Sequence, residues 1–365
     1  MAHNIEFNEE RNSFSIISTQ PTWHHLENAK YYDKPLTTIE ALQGCNADFE
    51  VEKQPIIALT PELVNMIENN QFINASLLGE LIIEGSKANM RLDNHKTLGI
   101  VSDKYGVVQN AQAFDFIDAF CTGGSGAPCI ESAGVLGNGE RVFVCAKFPE
   151  PIRLAHKDND IVDMYVVFTT SHDGKGAVTA MVTPTRVVCN NTLNAAFKNN
   201  SGRWNVRHTC NVNNRLTNIA EASRAMGLYE VYKAEFEGRM EQLSSIHLTD
   251  KDVDMICART LMNDDVWRTF TKADYNINDD DISTRTRNQF EALKETIYSG
   301  VGQDIVEPNT GLHLYNGVTC YLSNVAPKDW SSNGKDAEKQ FSSLMTGTAY
   351  DRQQKAFELI IDKAA

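Results

Sequence analysis

The stretch IVDMYVVFTTSHDGKGAVTAMVTPTRVV, residues 161–188, decides the fold. Val, Phe, Tyr and Thr dominate Ile161 to Thr170 and Val, Met and Thr dominate Ala177 to Val188, with Ser171, His172, Asp173 and Gly174 between them. β-branched and aromatic runs on either side of an Asp-Gly step predict two strands joined by a hairpin turn. Working outward, similar runs near Leu98 to Val108 and Arg141 to Phe148 predict further strands. Between them, the segment after Asn110 predicts a helix burying Phe114, Ile117 and Phe120, ending near Gly123, Gly124 and Gly126. That glycine turn has neither the order nor the spacing of a phosphate or dinucleotide loop, so no nucleotide site is read there. Thr37 opens a short helix to Cys45, and Thr60 with Pro61 opens another.

Beyond Asn211 the period changes. Leu216, Ile219, Met226, Tyr229, Phe236, Met240 and Leu243 recur every three or four residues, predicting one long amphipathic helix over 211–246 that Gly227 or Gly238 could break. Thr249 with Asp252 in the capping-box position starts a further helix, and others are predicted over Thr284 to Ser299, Leu312 to Asn324 and Ala337 to the end. Asp264, Asp265 and Asp279, Asp280, Asp281 fall in polar connections, and Asp274, Asn276, Asn278 lacks the Gly and Glu of a calcium loop. The fold class is α+β: a mixed, mainly antiparallel sheet in the first 210 residues, then a helical part over 211–365 that packs on the first as one unit or stands apart.

The 365 residues are 42% apolar and 22% charged, enough to bury a sizeable core. There is no 18-residue apolar run, and MAHNIEFNEERNSF has neither the basic nor the apolar region of a signal peptide, so the expected compartment is the cytoplasm, with no membrane partner. Cys45, Cys121, Cys129, Cys145, Cys189, Cys210, Cys257 and Cys320 include no C-x-x-C, and neither zinc nor a disulfide framework is read from them. Trp23, His24 and His25 offer two adjacent histidines with no third ligand. No metal or cofactor is expected.

Charge is distributed unevenly. The formal net charge is -14, yet from Gly174 to Ala220 there are six basic residues and no Asp or Glu, where average composition would place about six acids. Lys175, Arg186, Lys198, Arg203, Arg207 and Arg215 are interleaved there with Trp204, His208 and ten asparagines. Such a segment suits a polyanion, with the acidic remainder confining binding to one groove. The other reading pairs these arginines with acids elsewhere in the fold.

Three constellations could carry chemistry. Ser171, His172, Asp173 and Gly174 serve as hairpin chemistry or as a phosphate contact at an exposed turn tip. Thr183 to Leu193 runs from a strand toward a helix capped by Asn190 or Asn191, where free backbone N–H groups and Arg186 could hold a phosphate. Cys189 there, with His172 or His208 as base, is the alternative catalytic set of a hydrolase or transferase. Alternation over Arg203 to Thr209 places Arg203, Asn205 and Arg207 on one strand face and Trp204, Val206 and His208 on the other. Trp204 fits a core position or a base-stacking platform.

SHDG at 171–174, TPTRVVCNNTL at 183–193 and RHT at 207–209 resemble the phage/plasmid-like family of unknown function. Agreement extends to Trp23 and His24, to Asp103, Tyr105, Gln109, Asn110 and Phe114, and to Asn316, Val318, Thr319 and Tyr321. His25 stands where the family has glycine, Gly317 where it has alanine, and Thr60 to Met90 differs in spacing. The resemblance implies a cytoplasmic protein of a mobile element, and such elements encode single-strand annealing proteins of the RecT, Redβ or Erf type. The expectation is a homo-oligomeric protein that binds single-stranded DNA or RNA. The alternatives are the Cys/His enzyme and an acidic protein that binds a host factor or blocks a host defence.

Overall fold

The computed structural model describes residues 6–19, 30–121, 127–154, 160–186, 191–192, 203–209, 219–326, 343–344 and 347–364. Strands β1 (Phe7–Asn8) and β2 (Ser13–Phe14) pair antiparallel, and β3 (Ile16–Ser18) and β4 (Lys30–Tyr31) pair parallel. Helix α1 (Thr38–Gly44) follows, then β5 (Val51–Ile57), α2 (Pro61–Glu68), α3 (Ala75–Glu80), β6 (Ile82–Arg91), β7 (Thr97–Ser102) and α4 (Asn110–Cys121). Next come β8 (Cys129–Leu136), β9 (Arg141–Lys147), β10 (Ile152–Arg153), β11 (Ile161–Ser171), β12 (Val178–Arg186), β13 (Asn191–Thr192) and β14 (Arg203–Val206). Strands β5, β6 and β7 form a three-stranded antiparallel sheet. A nine-stranded sheet has the order β13-β12-β11-β9-β8-β3-β4, with β10 added on β11 and β14 on β12.

The larger sheet follows from the strands around the SHDG turn. Val162, Met164, Val166 and Phe168 of β11 alternate onto one face beside Val142, Val144 and Ala146 of β9 and Val178, Ala180 and Val182 of β12. Helix α4 buries Phe114, Ile117 and Phe120 as its period predicts, with Phe120 meeting Phe148 at 6.0 Å and Phe168 at 5.5 Å edge to face. Thr37 and Glu40 close a capping box on α1, and Thr60 caps α2 with Pro61 in the first turn.

The helical part is α5 (Ile219–Ser245), α6 (Asp250–Leu261), α7 (Asp264–Lys272), α8 (Thr284–Ser299), α9 (Gly311–Cys320) and α10 (Thr348–Ala364). Helix α5 passes unbroken through Gly227 and Gly238, and Tyr229, Tyr232, Phe236, Met240 and Leu243 form its buried stripe. Phe148 stacks on Tyr229 at 3.6 Å, and one hydrophobic core runs from Ile17 through the sheet to Ile360. Every residue of α9 is buried. A Cβ on its Gly317 would lie 2.5 Å from Ile297 Cγ1, which explains glycine where the resemblance leads one to expect alanine. Among the described residues no helix is long and apolar enough to cross a membrane.

Four expectations are corrected. The strand predicted to reach Val108 ends at Ser102, because the chain turns there with the Tyr105 amide on the Ser102 carbonyl. Asp264 and Asp265 belong to the first turn of α7, capped by Asn263 on the Val266 amide, where carboxylates favour the helix dipole. The helix expected to reach Asn324 changes at Tyr321 into a π turn over Tyr321–Val325. The last helix begins at Thr348 within the described part, and the predicted 211–218 and 187–188 extensions lie outside the described residues.

Candidate functional site

The turn after β11 is held by its own residues. The Asp173 carboxylate accepts from Ser171 Oγ at 3.0 Å and from the Lys175 amide at 2.8 Å, and Gly174 adopts φ +78°, the left-handed region that suits glycine. Strand β7 presses on it from outside: a Cβ on Gly99 would stand 2.6 Å from the Asp173 Cα and carbonyl oxygen.

That docking buries His172 completely, against the expectation of an exposed turn tip. The Asn110 side chain donates to the Ala47 carbonyl at 2.9 Å, leaving its Oδ1 to accept from His172 Nε2 at 2.9 Å. The His172 amide donates to Glu140 and its carbonyl accepts from Asn89 Nδ2 at 2.7 Å. Burial, with the neighbouring His208 adding repulsion, pushes the His172 imidazole down to about 3. The Tyr105 hydroxyl donates to the Ser171 carbonyl at 3.0 Å and its ring stacks on His208 at 4.9 Å. His208 Nδ1 meets the Gly106 carbonyl at 3.2 Å, and burial lowers this imidazole as well. His172 Nδ1, His208 Nε2 and Asn89 Oδ1 are buried without a hydrogen-bond partner among the described residues.

Beside this cluster, Lys175 and Arg207 are exposed. Val178 pairs with Val206 in the antiparallel β12–β14 register, so the two cations flank the same end of the strand pair. Neither carries an ion pair among the described residues. Asn205 is exposed and accepts from Thr179 Oγ1 at 2.8 Å, while Val206 and His208 are buried and Trp204 packs partly buried against the core, as the alternation predicts. The structure therefore gives Trp204 and His208 to packing and leaves Lys175, Asn205 and Arg207 at the surface.

For Arg186, Arg203 and Asn191 only the backbone is described: Arg203 lies opposite Met181, and Arg186 opposite Val162 and Asn191, so the chain at Asn191–Thr192 returns along β12 as a strand where the sequence predicts a helix capped by Asn190 or Asn191. Arg186 sits at the far end of β12, roughly 26 Å along the strand from Val178, the end that follows Lys175. Lys198, Arg215, Cys189, Asn190, the 123–126 glycines and the Trp23, His24, His25 cluster lie outside the described residues.

Sequence reasoning missed Asn89 and Arg91. Arg91 is fully buried on β6 and bound to Glu6, to both Asp93 oxygens and to the Asn138 carbonyl. Tyr105 and Asn110 entered only as residues of the resemblance, which is the signal that could have found the cluster.

Chemically the cluster positions rather than reacts. An imidazole with no exposure and held neutral down to about pH 3 is not placed to take a substrate proton at neutral pH. Among the described residues no three His, Cys, Asp or Glu side chains group closely enough to hold a metal ion. The described thiols divide by access: burial pushes Cys45 and Cys121 up to about 12 and raises Cys145 and Cys257, while Cys129 is exposed. Iodoacetamide on native protein is expected to reach Cys129 before Cys45, Cys145 or Cys257, read by peptide mass mapping. Alkylation of those three before unfolding would contradict the packing. A thiol outside the described residues that reacts well below pH 8.5 would select the cysteine-enzyme reading.

The fold and site define an α+β protein with a cationic sheet corner braced by a buried polar network. The chain matches the family described as domain of unknown function (DUF932) over residues 97–356, more than two thirds of its length, and belongs to it. That span holds Tyr105, Asn110, His172 and His208, whereas Asn89, Arg91, α2 and α3 precede it. No curated protein and no solved structure matches the chain.

Proposed function

We propose that this chain binds single-stranded nucleic acid at the corner formed by β12 and β14, with Lys175, Arg203 and Arg207 taking phosphates. The observation that carries the reading is the pair of exposed cations, Lys175 and Arg207, without ion-pair partners among the described residues, in a chain of net charge -14. Unneutralised cations on one corner of an otherwise acidic surface concentrate a polyanion there and repel it elsewhere. Bracing by Asn89, Tyr105, Asn110 and His172 supports the reading, since a preordered corner loses little entropy on binding. The proposal includes self-assembly, a phage or plasmid origin and a place in the host cytoplasm. It extends by analogy to annealing of the RecT, Redβ or Erf kind, which needs a strand held by its phosphates and no nucleophile.

The double variant Lys175→Ala, Arg207→Ala tests the site. It should weaken oligonucleotide binding with little dependence on sequence and lower the slope of log affinity against log salt by up to about two. An unchanged affinity and slope in a folded double variant would remove this corner from the interface.

A further inference from the structure

Between Lys53 and Lys87 the chain carries Glu62, Glu68, Glu80 and Glu84 and no Lys, Arg or His, where average composition would place about three basic residues. The structure turns this stretch into a projection. Ile57 pairs with Ile82, the Ala58 amide donates to the Leu81 carbonyl at 2.8 Å, and residues 59–80 beyond this neck form α2 and α3. Neither short helix packs extensively on the rest of the described chain, and Leu63 is the one buried residue of the projection. All four glutamates are exposed. Between and beside them lie Leu59 at 68% exposure, Ile67 at 50% and Phe72 at 88%, with Ile82 and Ile83 exposed at the neck. Five exposed large apolar side chains on one small projection that carries only negative charge suit a protein interface better than a solvated arm.

We propose that this acidic, apolar projection docks on a second copy of the chain, at the corner carrying Lys175 and Arg207. Charge complementarity selects the occupant. The rest of the chain outside 174–220 is strongly acidic and would repel the projection, whereas the corner presents the exposed cations Lys175 and Arg207 in a segment that holds no acid. Projection and corner are different surfaces of one chain, so two copies either exchange arms reciprocally as a closed dimer or each offers its arm to one neighbour and its corner to another. Repetition of the second arrangement closes a ring or extends a filament. The inference rests on the self-assembly part of the proposed function and not on nucleic acid being the ligand of the corner. It adds a consequence: an arm glutamate and a phosphate compete for the same cations, so a bound strand loosens the contact.

Sedimentation velocity on the full chain tests this, with circular dichroism confirming that each variant is folded. The wild type should show concentration-dependent species larger than the monomer. Phe72→Asp should weaken the association at least about tenfold, as should the pair Glu62→Lys, Glu80→Lys and the pair Lys175→Glu, Arg207→Glu. Combining both charge-reversed pairs in one chain should restore assembly, which a merely structural effect would not do. A wild type that stays monomeric overturns both this inference and the self-assembly reading. Assembly that survives Phe72→Asp, or that is lost in Phe72→Asp but indifferent to Lys175 and Arg207 reversal, overturns this inference alone. Oligonucleotide affinity of the monomeric Glu62→Lys, Glu80→Lys variant should be no weaker than wild type, which separates the arm from the nucleic-acid site.

Discussion

Arg91→Ala is expected to remove about 3–5 kcal/mol of folding free energy, the largest effect of any single substitution outside the apolar core. The Arg91 guanidinium has no solvent exposure, and its Nε and Nη2 donate to the two Asp93 oxygens at 2.9 and 2.7 Å. Its Nη1 serves Glu6 and the Asn138 carbonyl, and its plane lies 3.8 Å above the Phe49 ring. Glu6 is nearly as buried, with Ser15 Oγ as a second donor at 2.9 Å. A buried pair of this kind adds little net stability over apolar residues of the same shape, but removing one partner strands the other charge in a medium that cannot solvate it. The same residue ties the three-stranded sheet to the N-terminal strands and to the Asn138 turn, so the loss spans three segments. Urea unfolding at pH 7 reads the effect as a lowered midpoint with unchanged slope. A loss below about 1 kcal/mol would mean that water or a rearranged partner reaches Glu6. By contrast, Lys34→Ala, which breaks the exposed 2.8 Å pair with Glu40, should leave the midpoint barely changed.

The second large effect depends on pH and on His172. Burial holds this imidazole at about 3 in the folded chain, against 6.5 for the free side chain. Below pH 6.5 the unfolded chain takes up a proton that the folded chain refuses, so stability is complete above that pH and declines as the solution is acidified. The decline is about 1.4 kcal/mol per pH unit for one such group and stops near the folded value. Between pH 6.5 and 4.5 His172 alone should therefore account for roughly 2 to 3 kcal/mol. His208 and His313, lowered by burial too, act in the same direction. His172→Gln keeps an amide that can reach Asn110 but has nothing to titrate. It should be less stable at pH 7 and show a flatter dependence on pH. Urea midpoints measured at half-unit steps from pH 7.5 to 4.5 compare the two chains. Equal slopes would place the acid sensitivity elsewhere.

The parts of the fold legible in the sequence are those written locally. Thr37 with Glu40, Thr249 with Asp252, and Thr60 before Pro61 each carry their own start signal, and all three helices begin there. The helix Thr284–Ser299 and the strands on either side of the SHDG turn were readable from periodicity and β-branched content alone. Strands β5 and β6 were not, because Pro55, Lys53, Lys87 and Gly85 interrupt any alternation and their pairing joins residues separated by two helices. Strand β8 hides in the small residues Ser132, Ala133 and Gly134, which fit between Phe143 and its neighbours rather than advertising a strand. The candidate site was half legible. Excess positive charge over 174–220 and the alternation through Arg207 are sequence properties. The burial of His172 is not, since it follows from contacts with Asn89 and Asn110, 83 and 62 residues away, and from the close approach of Gly99. Arg91 misleads for the same reason: arginine reads as surface until Glu6 and Asp93 are seen to enclose it.

The most direct test of the central claim is fluorescence anisotropy of a labelled single-stranded oligonucleotide against the full chain in rising salt, with duplex as competitor. A braced corner of unpaired cations predicts saturable binding at low salt, preference for the single strand, and loss of affinity as salt increases. No binding at low salt, or binding indifferent to salt, would contradict nucleic acid as the ligand of the Lys175 and Arg207 corner.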